Sequence, residues 1–236
     1  MKEYEIIWKG NSNTNKSTRR GYAPRIIVDH ITEGSASSAL CWFTSSGNKV
    51  SSAHFLVTKA GEIYQFVKIE DNAWANGINS KDIKNATASM VKEMNVNPNW
   101  YSISIEHEGI YKQTKGELTE EQLKATIWLH QYIIDYVKDK WNIEIPVDRK
   151  HIIGHYEISP RRKPNCPGQK YPFNQIIESL NNKTTEYINV PQWQIDGFNG
   201  LIERDVIQSP EYWKNKLGQP ITVGELFAVL NKAIRK

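Results

Sequence analysis

The stretch Gly154-His155-Tyr156-Glu157-Ile158-Ser159-Pro160-Arg161-Arg162-Lys163-Pro164-Asn165-Cys166-Pro167-Gly168 constrains this chain more than any other, because it places an imidazole, a cluster of cations and a thiol in one proline-bracketed loop. Pro160 and Pro164 fix the backbone on either side of the basic triplet, so the segment reads as a stiff, non-helical return. His155 follows the apolar run His151-Ile152-Ile153, the end of a short buried strand, and the return brings Cys166 back towards it. An imidazole and a thiolate are ligands of the kind zinc takes at ~2.0–2.3 Å, and a catalytic zinc keeps three protein ligands with one position open. The pair is therefore half of a zinc site, or else a small buried cysteine beside a hydrogen-bonded loop histidine.

Two segments upstream favour the first reading. Arg25-Ile26-Ile27-Val28-Asp29-His30-Ile31-Thr32 is a β-branched strand that ends on a histidine, and Ser102-Ile103-Ser104-Ile105-Glu106-His107-Glu108-Gly109 is a strand whose alternation puts Glu106 and Glu108 on one face. With Ser52-Ala53-His54-Phe55-Leu56-Val57 between them, these segments make a constellation spanning residues 27–168.

In order, spacing and context, that constellation resembles the zinc-dependent type 2 N-acetylmuramoyl-L-alanine amidases, the family of phage endolysins, bacterial autolysins and animal peptidoglycan-recognition proteins. The resemblance implies that His30, His155 and Cys166 hold Zn2+, that Glu106 is the acidic catalytic residue and that Lys163 is the cation beside the scissile carbonyl. It implies a substrate-binding role for His54, Arg162 and Trp74. Three departures from the family pattern bear on this. Two residues separate Lys163 from Cys166 where many relatives have one, which brings in Arg162 as a substitute; Ala53 stands where some relatives have tyrosine; Ala75, in Ala73-Trp74-Ala75-Asn76-Gly77, stands where histidine is frequent.

The rest of the chain reads as support. Ala36, Ala39, Leu40 and Phe43 recur at helical spacing with Cys41 packed at the stripe's edge, and His54–Thr58 and Glu62–Val67 flank Lys59-Ala60-Gly61 as a hairpin. Residues 10–24 read as a surface loop whose positive charges are solvated, and residues 79–99 as polar and irregular. Thr119-Glu120-Glu121-Gln122 is a capping box opening a helix to about Lys140, inside which His130 is a core or surface residue. Phe173–Leu180 closes the first domain. The expectation is an α/β fold, a central mixed β-sheet flanked by helices over residues 1–182, followed after a short polar linker by a small helical module over 186–236. A unit that small has a marginal core, so it packs on the amidase, dimerises or binds wall polymer.

Composition excludes several classes. No run approaches the ~18 apolar residues of a membrane span, and two cysteines are too few for a secreted disulfide framework. The net charge of +4 resides in residues 1–183, since residues 184–236 carry six basic and six acidic side chains. That suits a polyanionic cell wall and is too modest for nucleic acid. The expected partner is peptidoglycan, and the chain is a monomer or homodimer. Met1–Lys9 lacks an apolar signal segment, so synthesis in the cytoplasm without a signal peptide, and action on the wall after release, is expected. This favours an endolysin over an autolysin. The rival readings are a binding module that does not cleave, and a structural zinc protein with a fourth ligand such as His54 or His107.

Overall fold

Eight short strands carry the first part of the chain: β1 (Ile6–Trp8), β2 (Lys16–Thr18), β3 (Ile26–Ile31), β4 (Phe55–Val57), β5 (Ile63–Gln65), β6 (Asp71–Ala73), β7 (Ser102–His107) and β8 (Ile152–Gly154). In this computed structural model, which describes residues 4–183, 192–207, 213, 217 and 222–234, six of them form one sheet in the order β1-β5-β4-β7-β3-β8, while β2 and β6 pair antiparallel on their own. The sheet is mixed: β4 and β5 are the antiparallel hairpin, and every other neighbouring pair is parallel. The expected α/β class with a central mixed sheet and flanking helices is what the chain adopts.

Parallel strands covered on both faces read as nearly continuous apolar runs, and β3 with its Ile26-Ile27-Val28 start is of that kind. Side chains alternate across the sheet, so Ile27, Ile103, Ile105 and Ile152 face one way and Ile26, Val28 and Ile153 the other. The first set packs under α4 (Glu120–Trp141), whose Ala125, Leu129, Ile133 and Val137 make a buried stripe at helical spacing, and under α6 (Phe173–Lys183) through Ile176 and Leu180. The second set packs against Tyr101, Ile158 and α2 (Ser89–Met94) through Val91, and α1 (Ala36–Thr44) covers Leu56 and Phe66 on that side with Ala39 and Phe43. α1 starts at Ser35, whose hydroxyl accepts from Ser38 N. α4 starts at Thr119, which accepts from Gln122 N. The Gln122 half of the expected capping box is diverted: its amide donates instead to the carbonyls of Val57 and Glu108, tying the helix start to the sheet.

Four local expectations need correcting. Cys41 is exposed, on the outer side of α1. Residues 79–99 are not irregular throughout, since Ser80–Asn85 forms a 3-10 helix and α2 follows it. Arg19, read as solvated, is buried and donates to the carbonyls of Ile69, Trp100 and Ser102. The proline-bracketed segment begins with a helical turn, α5 (His155–Ile158), before it returns, and a further turn, α3 (Tyr111–Thr114), follows β7. No helix among the described residues is long and apolar enough to cross a membrane.

The chain divides into two compact units, Met1–Leu180 and Asn181–Lys236. The described part of the second holds α7 (Gln192–Glu203) and α8 (Val223–Ile234), with Phe198, Val206 and Ile207 buried. The linker residues Thr184-Thr185, the segment Ser209–Tyr212 and Tyr187 lie outside the described residues.

Candidate active site and metal centre

The register of the two central strands builds the site. His30 and Glu106 are directly opposite one another on β3 and β7, with Leu56 of β4 beside Glu106, so both polar side chains emerge side by side near the carboxyl ends of parallel strands. Open parallel sheets commonly bind ligands outside those ends. β8 is paired so that Gly154 lies opposite Asp29, which delivers His155 to the same place one residue later.

The return that carries Cys166 is held by specific contacts. Tyr156 N donates to Cys166 O at 2.8 Å, and the thiol accepts from Ile31 N at 3.4 Å. Glu157 accepts from Gly154 N and pairs with Arg149 at 2.6 Å, fixing the first turn of α5. Gly154 has no room for a side chain, since a Cβ there would meet Pro167 Cδ at 2.8 Å. Cys166–Pro167 is a cis peptide.

The result is a three-residue group, His30, His155 and Cys166, whose ligand atoms all lie within 4.8 Å of one another. Among the described residues it is the His/Cys/Asp/Glu group of this size able to hold a metal ion. The imidazoles of His30 and His155 are 4.5 Å apart between ring centroids, and His30 Nδ1 faces Cys166 Sγ at 3.8 Å and Glu106 Oε1 at 3.9 Å. Burial and the His155 charge hold His30 well below the usual histidine range, with the Asn76 side-chain carbonyl, an acceptor towards the ring, opposing them. Burial and the charges of Lys163 and Arg162 lower His155 to about 3. Both rings are thus neutral, the form that binds metal. Burial and the neighbouring Glu106 push the Cys166 thiol far above its ordinary value. A divalent cation reverses that balance, because it supplies the positive partner that a buried thiolate otherwise lacks. Two neutral imidazoles and one thiol, convergent and mostly buried, fit such an ion.

Glu106 is mostly buried, with one carboxylate oxygen unpartnered, and burial raises it to about 7 against the lowering charge of Lys163. Lys163 exerts its charge on His30, Glu106, His155 and Cys166, whereas Arg162 is felt at His155. Lys163, Arg162 and Trp74 all line a cleft of about 990 Å³ that also contains the His-His-Cys group and Glu106. Trp74 is oriented by its indole N–H, which donates to Ser17 Oγ.

His54 is not brought to the cleft. Its ring is buried, with Nδ1 at 3.0 Å from Ser104 Oγ and accepting from Ser104 N, and with Nε2 at 3.1 Å from Asp71 O and 3.0 Å from Arg19 Nη2. Burial and the Arg19 charge keep it well below its ordinary value. It is a neutral tie between β4, β7 and the β2–β6 pair. His107 likewise offers no fourth ligand, because strand alternation turns it to the opposite face.

There a second polar cluster, which sequence reasoning missed, lies directly behind the first. Asp29 is fully buried, with Oδ2 at 3.3 Å from His130 Nε2 and Oδ1 at 4.0 Å from His107 Nε2, ion-pair range without full hydrogen-bond alignment. His107 Nδ1 meets His30 O at 3.0 Å, and its Nε2 meets Thr126 Oγ1 and Tyr171 Oη. Burial works against the His130 imidazolium, but the Asp29 charge and hydrogen bonding outweigh it and its pKa is raised; burial prevails at His107, which falls to about 4. The signals were present as Asp29 interrupting an apolar strand and His130 on the apolar stripe of α4.

Residues 20–169 match the family described as N-acetylmuramoyl-L-alanine amidase, Amidase_2. A curated relative, the 1,6-anhydro-N-acetylmuramyl-L-alanine amidase AmpD of Haemophilus influenzae, is 28% identical over 130 residues, or 55% of this chain; the chain spans 58% of that relative's length. Among solved structures, a selenomethionine derivative of AmpD has a TM-score of 0.56 at 21% identity, over 75% of this chain and 94% of that one, a likeness of fold. The amidase LysC of Clostridium intestinale has a TM-score of 0.49 at 21% identity, over 76% and 99% of the two chains.

Proposed function

We propose, from the premise that the chain belongs to the N-acetylmuramoyl-L-alanine amidase family, that it hydrolyses the amide bond between N-acetylmuramic acid and L-alanine in peptidoglycan with a zinc ion held by His30, His155 and Cys166. The observation that carries this reading is the convergence of those three ligand atoms within 4.8 Å beside the mostly buried Glu106 in an open cleft. When bound, zinc supplies a Lewis acid and lowers the pKa of water from about 15.7 to ~7.

The chain's own residues supply the rest. An amide resists hydrolysis because nitrogen donates into the carbonyl, so the site must stabilise the oxyanion and protonate the leaving nitrogen. Glu106, with its ordinary acidity weakened by burial to about 7, suits both directions of proton transfer near neutral pH: it takes a proton from the attacking water and returns it to the L-alanine nitrogen. Lys163 carries the positive charge beside the developing oxyanion, a task in which Arg162, acting on His155, is second. Trp74 and Arg162 contact the bound wall fragment along the cleft.

The biological role in this reading is that of an endolysin, made in the cytoplasm and acting on the wall after release, with residues 186–236 anchoring the catalytic unit to wall polymer or to a second copy. The mildly basic character of residues 1–183 suits a polyanionic wall. An autolysin role and a binding module that does not cleave are the alternatives. The test is to incubate purified walls with the wild-type chain and with Glu106→Gln, and to count new L-alanine amino termini while measuring bound zinc. New termini from the wild type alone, with zinc in both, support the proposal; wall binding without new termini from either leaves the non-cleaving alternative.

A further inference from the structure

One wall of the cleft holds a cation that the reaction above does not use. Arg20 belongs to the turn Arg19-Arg20-Gly21-Tyr22, closed by Tyr22 N donating to Arg19 O, and its φ of 51° is left-handed, a conformation uncommon outside glycine, asparagine and aspartate. The turn is imposed from below by the buried Arg19 guanidinium, bonded to the carbonyls of Ile69, Trp100 and Ser102. Backbone held in a sparsely populated region by a rigid surround recurs at ligand clamps. Here it lifts Arg20 onto the cleft wall, where its guanidinium carbon lies 4.9 Å from the ring centroid of Trp100, an indole itself stacked with Tyr22 at 5.6 Å.

We propose that Arg20 is the anchor for a carboxylate on the peptide stem of the substrate, preorganised for that purpose on the indole of Trp100. The inference rests on the amidase reading for the identity of the ligand, a peptide joined through L-alanine and carrying free carboxyl groups. A guanidinium lying on an aromatic ring keeps its edge N–H groups free for a bidentate carboxylate. Arg20 has no ion-pair partner among the described residues, and the acids that share its cleft are committed elsewhere: Glu33 accepts from Tyr111 N, and Glu106 faces His30. Arg162 and Lys163 come from the return after α5, so the cleft has separate cationic groups for the stem and for the scissile carbonyl.

The test uses the full zinc-loaded chain and the peptide L-Ala-γ-D-Glu-L-Lys, compared with two versions in which one or the other free carboxyl is a carboxamide. Calorimetric Kd values are measured for wild type, Arg20→Gln and Arg20→Lys, and a thermal scan verifies that each variant is folded. One of the two amidations is expected to weaken wild-type binding roughly tenfold, the worth of one charge-assisted hydrogen-bonded contact. Arg20→Gln should weaken the parent peptide by a similar factor and be indifferent to that same amidation, with Arg20→Lys intermediate. Equal affinity of wild type and Arg20→Gln for the parent peptide overturns the proposal. So does an Arg20→Gln loss of the same size for all three peptides. Because binding is read without turnover, a chain that discriminates the peptides yet cleaves no muramoyl peptide sinks the amidase reading and leaves the Arg20 assignment standing.

Discussion

The two faces of β3 and β7 carry nearly the same side chains to different ends. On the cleft face stand His30 and Glu106, joined by His155 and Cys166; on the helix face stand Asp29 and His107, joined by His130 and Tyr171. Each cluster has one carboxylate, two imidazoles and one weakly acidic group, and a single thickness of backbone separates them. The front cluster opens to a cleft, and the cations near its convergent ligand atoms are Lys163 and Arg162. The back cluster is closed under α4, and its carboxylate is matched by His130. The difference shows that ligand chemistry is set by what surrounds a group of residues. A buried carboxylate paired with a histidine beneath a helix reads as structural, whereas convergent neutral donors lining an open cleft make a candidate site.

The comparison breaks most severely at the front. His30→Ala or Cys166→Ser should abolish metal retention and reduce turnover to background, since two remaining ligands chelate too weakly; metal analysis after dialysis and a muropeptide assay measure both. Full activity in metal-free Cys166→Ser would sink the zinc mechanism. Glu106→Gln comes next, with metal and fold kept and turnover down ~10²–10⁴-fold. Loss of metal together with activity in that variant would make Glu106 a supporting residue.

Variants at the back should act on stability instead. His130→Leu leaves the Asp29 carboxylate buried without its partner, at a cost of about 3–5 kcal/mol in chemical denaturation, and adding Asp29→Val should recover part of it. A larger loss in the double variant than in either single one would mean the pair is net stabilising. Protonation gives a smaller effect with a defined sign. The unfolded chain binds protons at His54 and His107 below about pH 6.5, while the folded chain keeps His107 neutral to about 4 and His54 neutral well below its ordinary value. Stability of the metal-free protein should therefore fall as pH drops from 6.5 towards 4, with His107 alone contributing on the order of 2 kcal/mol of that loss at pH 5 and His54 acting in the same direction. The raised His130 works in the opposite sense, its contribution fading as pH rises through its folded value. The smallest effect is expected from removing residues 183–236: turnover of soluble muropeptides should change little while activity on intact walls drops, because an anchor raises local concentration without touching the chemistry. Equal loss on both substrates, with a poorly folded truncated chain, would show that the tail is structural support.

Much of the front was legible because it is encoded locally. His30 and Glu106 end strands whose β-branched runs are plain in sequence, and the Phe55–Val57 hairpin and the α4 stripe have clear periods. Prolines around Arg161-Arg162-Lys163 marked the return that brings Cys166 to His155, although the opening turn of α5 was hidden by the expectation of a non-helical loop. The back was not legible, because Asp29, His107 and His130 lie far apart in sequence and only sheet register and helix docking bring them together. His54 was misjudged for a related reason. Its strand neighbours suggest a surface near the site, whereas its partner Arg19 comes from a polar segment that reads as solvated and is buried. Arg20 escaped notice beside Arg19 because two adjacent arginines look alike until one is buried and the other turned onto Trp100.

The central claim, that the front cluster is a catalytic metal centre and the back one is not, is tested most directly by titrating zinc into the chelator-stripped full-length protein while following release of L-alanine peptides from a soluble muropeptide. Activity should rise linearly and reach a plateau at about one zinc per chain. His130→Leu should give the same stoichiometry wherever it remains folded, and Cys166→Ser should give no rise. Full turnover by the stripped protein before any zinc is added, or a plateau that moves with His130 and ignores Cys166, would contradict the account.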